Sequence, residues 1–425
     1  MTLSDKQMEI VTSTERNIIV DAGAGSGKTR VLTERVKHLL KKGVDPKSMV
    51  IITFTNMAAD ELLSRLNTTK GYKDCFIGTI HSYANKLLKK SGYNFEIFSE
   101  SKQDEFMKYL IEKYAKYATY EDYELLKYLF KSITLGKIDK FSVQERFSSP
   151  RVYEELEILL GKKFDTLNKY PHTVPTLCKL NNVISFDELI ELAKEHFEST
   201  GVKLGYLFVD ELQDIGYLEY NFLKELNAEN NFYIGDDYQA IFAFKGGDVG
   251  IFLSLMNHPD WQVYYLEDNY RNGQFILDVA NNVIGRADNI IKKESNCMRN
   301  VDGEVKFMSN AMLEKFLCSI KGEPDWFVLT RLNKEIDMIS KILKKNNIPY
   351  VCFKQSKLTP KQLRDAMNFR GIKLLTIHSS KGLESKNVAI YGNMPVNPKK
   401  SSNTDEIKLF YVALTRASDK VVIFS

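Results

Sequence analysis

The chain has 425 residues, enough for two or three domains, and its 44% apolar and 27% charged composition is typical of a soluble globular protein. No run approaches the roughly 20 apolar residues of a membrane span, and the first residues lack the charged-then-apolar order of a secretory signal. Five scattered cysteines argue against a disulfide framework or a CxxC metal site and suit a reducing cytoplasm, while a net charge of +4 permits nucleic-acid binding without arguing strongly for it.

The N-terminal region alternates predicted strands and helices. The apolar run 17–21 ends at a glycine-rich loop, as a buried parallel strand does. A helical stripe of apolar residues follows over 29–42 and closes at Gly43. A second strand over 49–54 and a helix over about 57–66 continue the alternation. This order predicts a doubly wound parallel sheet.

The middle of the chain has a different pattern. Between about Tyr83 and Val183 the strand signals nearly vanish, and Lys, Glu, Tyr and Leu recur at helical spacing, which we interpret as a helical insertion. Strand signals return at 204–209 and 232–235. A second set of predicted strands, with helical segments between them, then covers 262–266, 326–329, 350–353, 372–376, 388–391 and 421–424.

The glycine-rich segment after the first predicted strand has the character of a phosphate-binding loop. Small residues let successive backbone N–H groups turn onto phosphate oxygens, next to a helix N-terminus that favours negative charge. Lys28 should reach the β- and γ-phosphates of ATP, and the Thr29 hydroxyl should ligate Mg²⁺. Ala22 stands where the usual pattern has glycine, but the position between strand and helix favours this interpretation over a turn without a ligand. The nucleotide-contacting residues expected here are Ala22, Gly23, Ala24, Gly25, Ser26, Gly27, Lys28, Thr29 and Arg30.

Polar residues also follow two later predicted strands. Asp210 and Glu211 come after an apolar strand, at the edge where open α/β sheets bind ligands. Asp210 is placed to hold Mg²⁺ through water, and Glu211 to orient and deprotonate the attacking water. An acidic pair after a strand is more often a helix cap, and only the phosphate-binding loop upstream favours catalysis. Gln239 could hydrogen-bond a γ-phosphate or the attacking water, with an ordinary surface amide as the equal alternative.

An arginine near the other end of the chain, Arg416 in the segment YVALTRA, complements the phosphate-binding loop. An arginine that neutralises a transferring phosphoryl group raises the rate by about 10³–10⁵. The wide separation of the two segments indicates that two domains close over one nucleotide.

Taken in order, these segments resemble the motifs of the UvrD/Rep/PcrA family of superfamily 1A DNA helicases. One such motif is weak evidence, whereas about eight in sequence order, nearly all of those expected, make coincidence negligible. The matching segments are Leu3–Gln7, Ala22–Thr29, Thr53–Ala59, Gly78–Ser82, Val209–Asp214, Gly235–Asp248, Asn269–Arg271, Thr376–Glu384 and Tyr411–Ala417.

The resemblance implies an α/β fold of two RecA-like, P-loop NTPase parallel-sheet domains with a helical insertion in the first. The first motor domain would cover 1–83 and 184–263, the helical accessory domain 84–183, and the second motor domain 264–425. Only about 100 residues separate Arg271 from Ile372, so we expect the second helical insertion (2B) of larger members to be absent.

The same resemblance implies roles around the nucleotide. Gln7 would contact the adenine edge, Tyr270 would stack on the adenine ring, and Glu384 would hydrogen-bond the ribose. Arg271 and Arg416 would approach the γ-phosphate from the second domain. The catalytic set would be Lys28, Glu211, Gln239, Arg271 and Arg416.

The resemblance also implies a groove for single-stranded DNA, coupled to the nucleotide by Gln239. Aromatic side chains can stack on any base, which suits sequence-independent binding, although core packing remains the alternative for each. Where the family usually has Trp-Arg-Gly, this chain has Phe244-Lys245-Gly246, which reduces stacking area and replaces a guanidinium fork with a point charge. The predicted DNA-contacting residues are Phe54, Asn56, Thr79, His81, Phe244, Lys245 and His378.

We therefore expect an ATP-hydrolysing, Mg²⁺-requiring translocase and helicase that acts on single-stranded DNA and at its junctions with duplex. A 3′→5′ polarity rests on the resemblance alone. We expect a cytoplasmic monomer in a bacterial or phage-infected cell, with a loading or accessory protein as a further candidate partner. Two alternatives stay open: a translocase that strips proteins from DNA without unwinding it, and a DNA-binding module that uses ATP only as a switch.

Overall fold

The computed structural model describes residues 2–97, 183–184, 186–200, 204–353, 365–392 and 403–425. Within them the predicted α/β architecture is confirmed, with two six-stranded sheets whose strands run parallel. By their contacts, the residues divide into two compact units. One contains both sheets and comprises the chain up to Ile77, Gly205–Ile215 and Glu229–Ser425; the other comprises Gly78–Leu204 and Gly216–Ala228.

The first sheet has the strand order β3-β2-β6-β7-β1-β8. Its strands are β1 (Asn17–Ala22), β2 (Met49–Thr53), β3 (Phe76–Thr79), β6 (Tyr206–Val209), β7 (Asn230–Gly235) and β8 (Gln262–Leu266). Ile18, Ile19 and Val20 are fully buried because β1 lies between β7 and β8. Asp21 pairs with Gly235 at the end of these strands, so the loops after β1 and β7 leave the sheet at the same edge.

Four helices accompany the first sheet: α1 (Asp5–Thr12), α2 (Lys28–Lys41), α3 (Asn56–Leu66) and α7 (Val249–Met256). α1 begins with a capping box, in which the Ser4 hydroxyl accepts from the Gln7 amide and the Gln7 side chain accepts from the Ser4 amide. α2 begins after Gly27, whose φ of 87° only glycine adopts readily. The predicted strands and helices of this region are thus confirmed to within two residues at each end.

The second sheet has the order β11-β16-β15-β12-β14-β13. Its strands are β11 (Glu304–Met308), β12 (Trp326–Thr330), β13 (Tyr350–Cys352), β14 (Ile372–Thr376), β15 (Ser385–Tyr391) and β16 (Ala417–Phe424). Its helices are α8 (Gln274–Ile284), α9 (Leu313–Ser319), α10 (Asn333–Lys345), α11 (Ile377–Ser380) and α12 (Thr404–Leu414). A short parallel pair, β9 (Asp268–Asn269) with β10 (Asn296–Cys297), lies in the connection between the sheets.

We call each sheet with its helices a lobe. One buried cluster of apolar side chains contains residues of both lobes: Ala24, Tyr238 and Phe242 come from the first, and Leu375 and Tyr411 from the second. The other faces of the two sheets carry clusters of their own. The two lobes are therefore joined by apolar packing beside the edge where the predicted site residues lie.

The second compact unit contains α4 (Ile80–Lys90), α5 (Phe186–Thr200), α6 (Tyr217–Glu225) and the parallel pair β4 (Glu96–Ile97) with β5 (Val183–Ile184). Most of the predicted helical insertion, 98–182, lies outside the described residues. In the part of the chain that the structure describes, no helix is long and apolar enough to cross a membrane.

Candidate nucleotide and nucleic-acid site

The glycine-rich loop between β1 and α2 forms a backbone cradle. Gly25 and Gly27 have φ angles of 69° and 87°, in the left-handed region where side chains are disfavoured. The Lys28 ammonium donates to the Ala22 carbonyl at 2.9 Å and lies 3.6 Å from the carboxylate of Asp236. These are contacts that an anion in the cradle would replace, since the loop offers N–H groups and a cation to a phosphate.

Residues after β8 hold the other side of the loop. The Asn269 amide nitrogen donates to the Ala24 carbonyl at 2.8 Å, and the backbone N–H of Tyr270 donates to the Gly25 carbonyl at 2.9 Å. A side chain at Gly25 would meet the Cβ of Arg271 at 2.7 Å. Tyr270, the predicted adenine-stacking residue, therefore contacts the phosphate-binding loop directly through its backbone, and the Cβ of Arg271 lies close to the same loop.

In the acidic pair after β6, Asp210 is buried, whereas Glu211 is partly buried and has a strained backbone. Glu211 has a φ of 54°, which costs a residue with a side chain roughly 1–2 kcal/mol. Burial acts to raise the Glu211 pKa, but the ammonium groups of Lys381 and Lys28 outweigh it and lower the pKa below the usual value. Lys381 lies 3.6 Å from the carboxylate, and the Gln213 amide donates to it at 2.5 Å. Glu211 is thus held as an ionised carboxylate that can orient or deprotonate water.

Asp210 has the opposite tendency. Burial, and then the neighbouring Glu211 carboxylate, raise the pKa of Asp210 to about 7. A divalent cation would supply the positive charge that this carboxylate needs. Carboxylate and hydroxyl oxygens are suitable ligands for Mg²⁺, so Asp210 and Thr29 fit a magnesium site.

Gln239 connects the two lobes. Its amide nitrogen donates to Asp236 at 2.5 Å, and its carbonyl oxygen accepts from the Arg416 guanidinium at 2.9 Å. Arg416 also donates to the Val412 and Leu383 carbonyls at 3.0 and 3.1 Å. The contacts Lys28–Asp236–Gln239–Arg416 thus form a continuous chain from the phosphate-binding loop to the second lobe.

Arg416 is 1% exposed, and burial together with the nearby Arg271 lowers its pKa to about 9. It therefore remains a cation at neutral pH. Arg271 donates to the Glu384 carboxylate at 2.6 Å and to the Thr415 carbonyl at 3.4 Å. Arg271 and Arg416, the two predicted arginines, thus lie close together in the site.

Asn272 links the residues on either side of Arg416 to the phosphate-binding loop. Its side-chain oxygen accepts from Asn269 at 2.8 Å, and its amide nitrogen donates to the Thr415 and Ala417 carbonyls at 3.3 and 2.5 Å. Both carbonyls flank Arg416. Because Asn269 also donates to Ala24, the buried side-chain amides of Asn269 and Asn272 connect the phosphate-binding loop to the segment that carries Arg416.

A cavity of about 710 Å³ opens among these groups, large enough for a nucleotide. Its lining includes most of the predicted nucleotide and catalytic residues, together with Arg65 and Arg299, which were not predicted. The predicted residues that line it are Gly23, Gly25, Ser26, Gly27, Lys28, Thr29, Arg30, Glu211, Gln239, Tyr270, Arg271, Glu384 and Arg416.

Gln7 is buried behind the loop. Its amide nitrogen donates to the Ser26 carbonyl at 3.0 Å, while its oxygen takes part in the capping box with Ser4. These contacts fix the α1 terminus against the phosphate-binding loop. Contact with an adenine edge remains a prediction.

Four aromatic rings of the two lobes meet at one place. Phe54 and Phe242 stack with centroids 4.9 Å apart, and His378 lies 5.1 Å from Phe244 and 6.0 Å from Phe242. Phe244 is 51% exposed, whereas Phe54 is partly buried against the cluster that joins the lobes. Burial, and then Arg331, lower the His378 pKa to about 4, so this ring is neutral at physiological pH. We call Phe54, Phe242, Phe244 and His378 the aromatic cluster.

The remaining predicted DNA contacts fall in different places. Lys245 is exposed, with its ammonium 5.3 Å from the Phe242 ring, and Asn56 is exposed at the start of α3. Thr79 and His81 both belong to the second compact unit, where Thr79 caps α4. His81 packs edge-on against Phe186, and burial lowers its pKa to about 4.

Phe242 and Lys381 are further contributors to the site that sequence reasoning missed. Phe242 lies within the segment Gly235–Asp248, and its aromatic neighbours in the sequence could have indicated a stacking cluster. Lys381 donates to Asp214 and, at 2.6 Å, to the Gln239 carbonyl. Lys381 lies within the segment Thr376–Glu384, but its partners are more than 140 positions away in the chain, so spacing along the sequence could not reveal them.

Comparison with known proteins bears on the whole arrangement. Residues 3–260 match the UvrD/REP helicase N-terminal domain, and residues 264–369 and 354–425 match the UvrD-like helicase C-terminal domain. A probable DNA helicase of Mycoplasma pneumoniae is 28% identical, over 100% of this chain and 83% of its own length. The ATP-dependent DNA helicase Rep of Buchnera aphidicola is 27% identical over 82% of this chain, and PcrA of Staphylococcus aureus is 27% identical over 86%.

The chain spans 55% of that Rep protein and 53% of that PcrA, about half the length of each. The two domain matches together cover nearly all of its residues. They also assign a RecA-like fold to each of the two parallel sheets. This chain therefore belongs to the UvrD/REP helicase family.

Proposed function

We propose that this chain is an ATP-dependent motor that moves along single-stranded DNA and unwinds duplex from a 3′ single-stranded tail. The observation that carries the proposal is the continuous contact from Lys28 through Asp236 and Gln239 to Arg416. It joins a phosphate-binding loop on one lobe to an arginine on the other. Membership of a helicase family and the names of the relatives support the same activity.

Hydrolysis would use groups on both sides of the cavity. Lys28 and the loop amides bind the phosphates, and Glu211 orients the attacking water and takes its proton. Thr29 and Asp210 would hold Mg²⁺, which neutralises charge on the β- and γ-phosphates. Arg271 and Arg416 are the counterparts on the second lobe.

The arginines make hydrolysis depend on how the lobes are placed. Arg416 is useful to the transition state only while the second lobe lies against the first. ATP binding would favour that closed arrangement, and product release would let the lobes part. Repeated closure converts hydrolysis into relative motion of the lobes.

A route from nucleotide to DNA runs through the middle of the site. Gln239 bonds Arg416 through its side chain and accepts from Lys381 through its backbone carbonyl at 2.6 Å. The Lys381 ammonium lies 5.3 Å from the Phe242 ring, at the centre of the aromatic cluster. A change at the γ-phosphate would therefore reach the rings on which bases can stack.

The proposal is tested by ATPase and unwinding assays on 3′-tailed, 5′-tailed and blunt duplexes. Wild-type protein should hydrolyse ATP faster with single-stranded DNA and should release strands only from the 3′-tailed duplex. Glu211→Gln should retain ATP binding but lose DNA-stimulated hydrolysis, because an amide cannot accept the water proton. Wild-type turnover by Glu211→Gln would refute its assignment as the base, and unwinding only from 5′ tails would refute the polarity.

A second candidate keeps the motor but not strand separation. Lys245 stands where the family usually has arginine, and as a single ammonium beside Phe242 it grips a phosphate less firmly than a guanidinium fork. Such a motor would displace bound proteins while leaving duplex intact. DNA-stimulated ATPase activity with no strand release from the 3′-tailed duplex would favour this candidate.

From the resemblance we also propose the domain limits 1–83 with 184–263, 84–183 and 264–425, with no second helical insertion. We further propose a monomer that acts in the cytoplasm on single-stranded DNA and its junctions. Sedimentation of the protein with and without a tailed duplex would test the oligomeric state.

A further inference from the structure

A buried lysine outside every predicted motif sits at the centre of three carboxylates. The Lys293 ammonium lies 2.5 Å from Asp21, 2.8 Å from Asp236 and 2.8 Å from Asp237. The lysine side chain is 2% exposed and the three carboxylates are fully buried. We call these four residues the lysine–aspartate cluster.

The segment that carries this lysine is fixed by further contacts with the first lobe. The Ile291 amide donates to Asp237 at 2.7 Å, and the Lys293 amide donates to the Tyr238 hydroxyl at 3.1 Å. The Lys293 ammonium also lies 4.2 Å from the Tyr238 ring. The ammonium thus has a specific place, with carboxylate acceptors and a ring face directed toward it.

The cluster is part of the candidate ATP site through two of its acids. Asp21 directly precedes Ala22, whose carbonyl accepts from Lys28. Asp236 faces Lys28 at 3.6 Å and accepts from Gln239 at 2.5 Å. The charge on Asp236 therefore acts on Lys28 and Gln239, two of the residues that would contact the γ-phosphate.

Negative and positive charges nearly cancel in the lysine–aspartate cluster and its immediate neighbours. Three carboxylates face Lys293, one of them (Asp236) also faces Lys28, and one oxygen of Asp21 has no hydrogen-bond partner among the described residues. Lys408 on α12 is also buried near Asp237. Burial alone would raise the pKa of Asp236, but Lys293 and then Lys28 lower it far below its usual value. If Lys293 were removed, Asp236 would have Lys28 as its main cation.

We propose that Lys293 is a positioning residue of the ATPase site, whose ammonium neutralises the three acids so that Lys28 can leave Asp236 for the phosphates of ATP. The inference rests on the proposed function. It differs from a merely structural ion cluster in one respect. A structural cluster affects only folding, whereas a positioning cation also changes the affinity for ATP.

The test compares four proteins by DNA-stimulated ATP hydrolysis and by thermal unfolding. They are wild type, Lys293→Met, the charge-balanced triple variant (Lys293→Met with Asp21→Asn and Asp237→Asn), and Lys292→Met. Lys292 is the matched control, because it is the adjacent lysine and its side chain is exposed. Wild-type activity is measured first, since its absence would refute the proposed function rather than this inference.

We expect Lys293→Met to raise the KM for ATP and to reduce kcat/KM by about 10- to 100-fold, as displaced active-site groups typically do. The triple variant should recover most of this loss. When Lys28 leaves for the phosphates, only the Asp236 carboxylate is left without a cation, whereas Lys293→Met leaves all three carboxylates in that state. Lys292→Met should behave as wild type. Recovery in the triple variant would support the proposal even if Lys293→Met does not fold.

Three results would overturn the proposal. One is a folded Lys293→Met protein with unchanged KM and kcat. Another is a triple variant that recovers its thermal midpoint but not its KM, because charge balance would then not be what Lys293 provides. The last is a triple variant that fails to fold, since removal of the surplus acids should relieve the buried charge.

Discussion

Replacement of Arg416 by alanine separates ATP binding from ATP hydrolysis. The guanidinium lies on the second lobe and donates a hydrogen bond to Gln239 of the first lobe at 2.9 Å. Its other side-chain hydrogen bonds among the described residues go to Val412, Leu383 and Thr415 of its own lobe, whereas the glycine-rich loop would bind the phosphates with its own groups. We therefore expect the dissociation constant for ATP to change by less than about tenfold while the hydrolysis step slows by about 10³-fold or more.

The magnitude follows from the charge and its surroundings. An arginine that stabilises a transferring phosphoryl group contributes about 4–7 kcal/mol to the barrier, equivalent to 10³–10⁵ in rate. Arg416 is fully buried, and burial lowers the pKa of its guanidinium to about 9, so the folded protein holds this cation at a cost in stability. A residue kept at such a cost in stability is better explained by function than by folding.

Because Arg416→Ala removes the cost of burying that charge along with four side-chain hydrogen bonds, the protein should still fold. The assay is single-turnover hydrolysis at saturating single-stranded DNA, with equilibrium binding of a fluorescent ATP analogue and a thermal midpoint. Arg416→Lys is the matched variant, since it keeps the charge but not the fork that reaches Gln239, Val412 and Leu383 together. Lost nucleotide binding in a folded Arg416→Ala protein, or hydrolysis near the wild-type rate, would refute the reasoning.

Two further variants test the cradle and the aromatic cluster. Gly25→Ala should reduce kcat/KM by about tenfold or more, because its Cβ would lie 2.7 Å from that of Arg271. Gly322 has a similar positive φ but open space around it, so Gly322→Ala should not reduce kcat/KM. Equal losses of kcat/KM in the two variants would show that backbone strain, and not the contact with Arg271, is responsible. Phe244→Ala should weaken binding of single-stranded DNA by roughly 5- to 150-fold, the effect of one lost stack of about 1–3 kcal/mol. The similarly exposed Phe275→Ala is the control in an anisotropy titration, and equal affinities for both variants would remove Phe244 from the DNA path.

Much of the fold follows from local signals. The apolar runs at 17–21 and 372–376 predicted buried strands because parallel strands covered on both faces are continuously apolar. Gly25 and Gly27 identified the cradle because few other residues adopt its backbone angles. Side chains at the ends of strands, such as Glu211, could be placed near the loop because parallel strands end at a common edge.

The long-range contacts could not be predicted in this way. Lys292 and Lys293 are adjacent and chemically identical, yet one is exposed and the other bonds Asp21, 272 positions away in the chain. Asn272 reaches Ala417 across 145 positions. Such pairs depend on how the two lobes pack, and no periodicity along the chain encodes that.

The central claim is that ATP is cleaved at a seam to which both lobes contribute. It is tested most directly by a crystal structure with Mg²⁺ and a non-hydrolysable ATP analogue. We predict that Lys28 will have exchanged the Ala22 carbonyl for the phosphates, with Arg271 and Arg416 within hydrogen-bond distance of the γ-phosphate. A nucleotide bound in the cradle with both arginines still turned to their protein partners, away from the phosphates, would contradict the account.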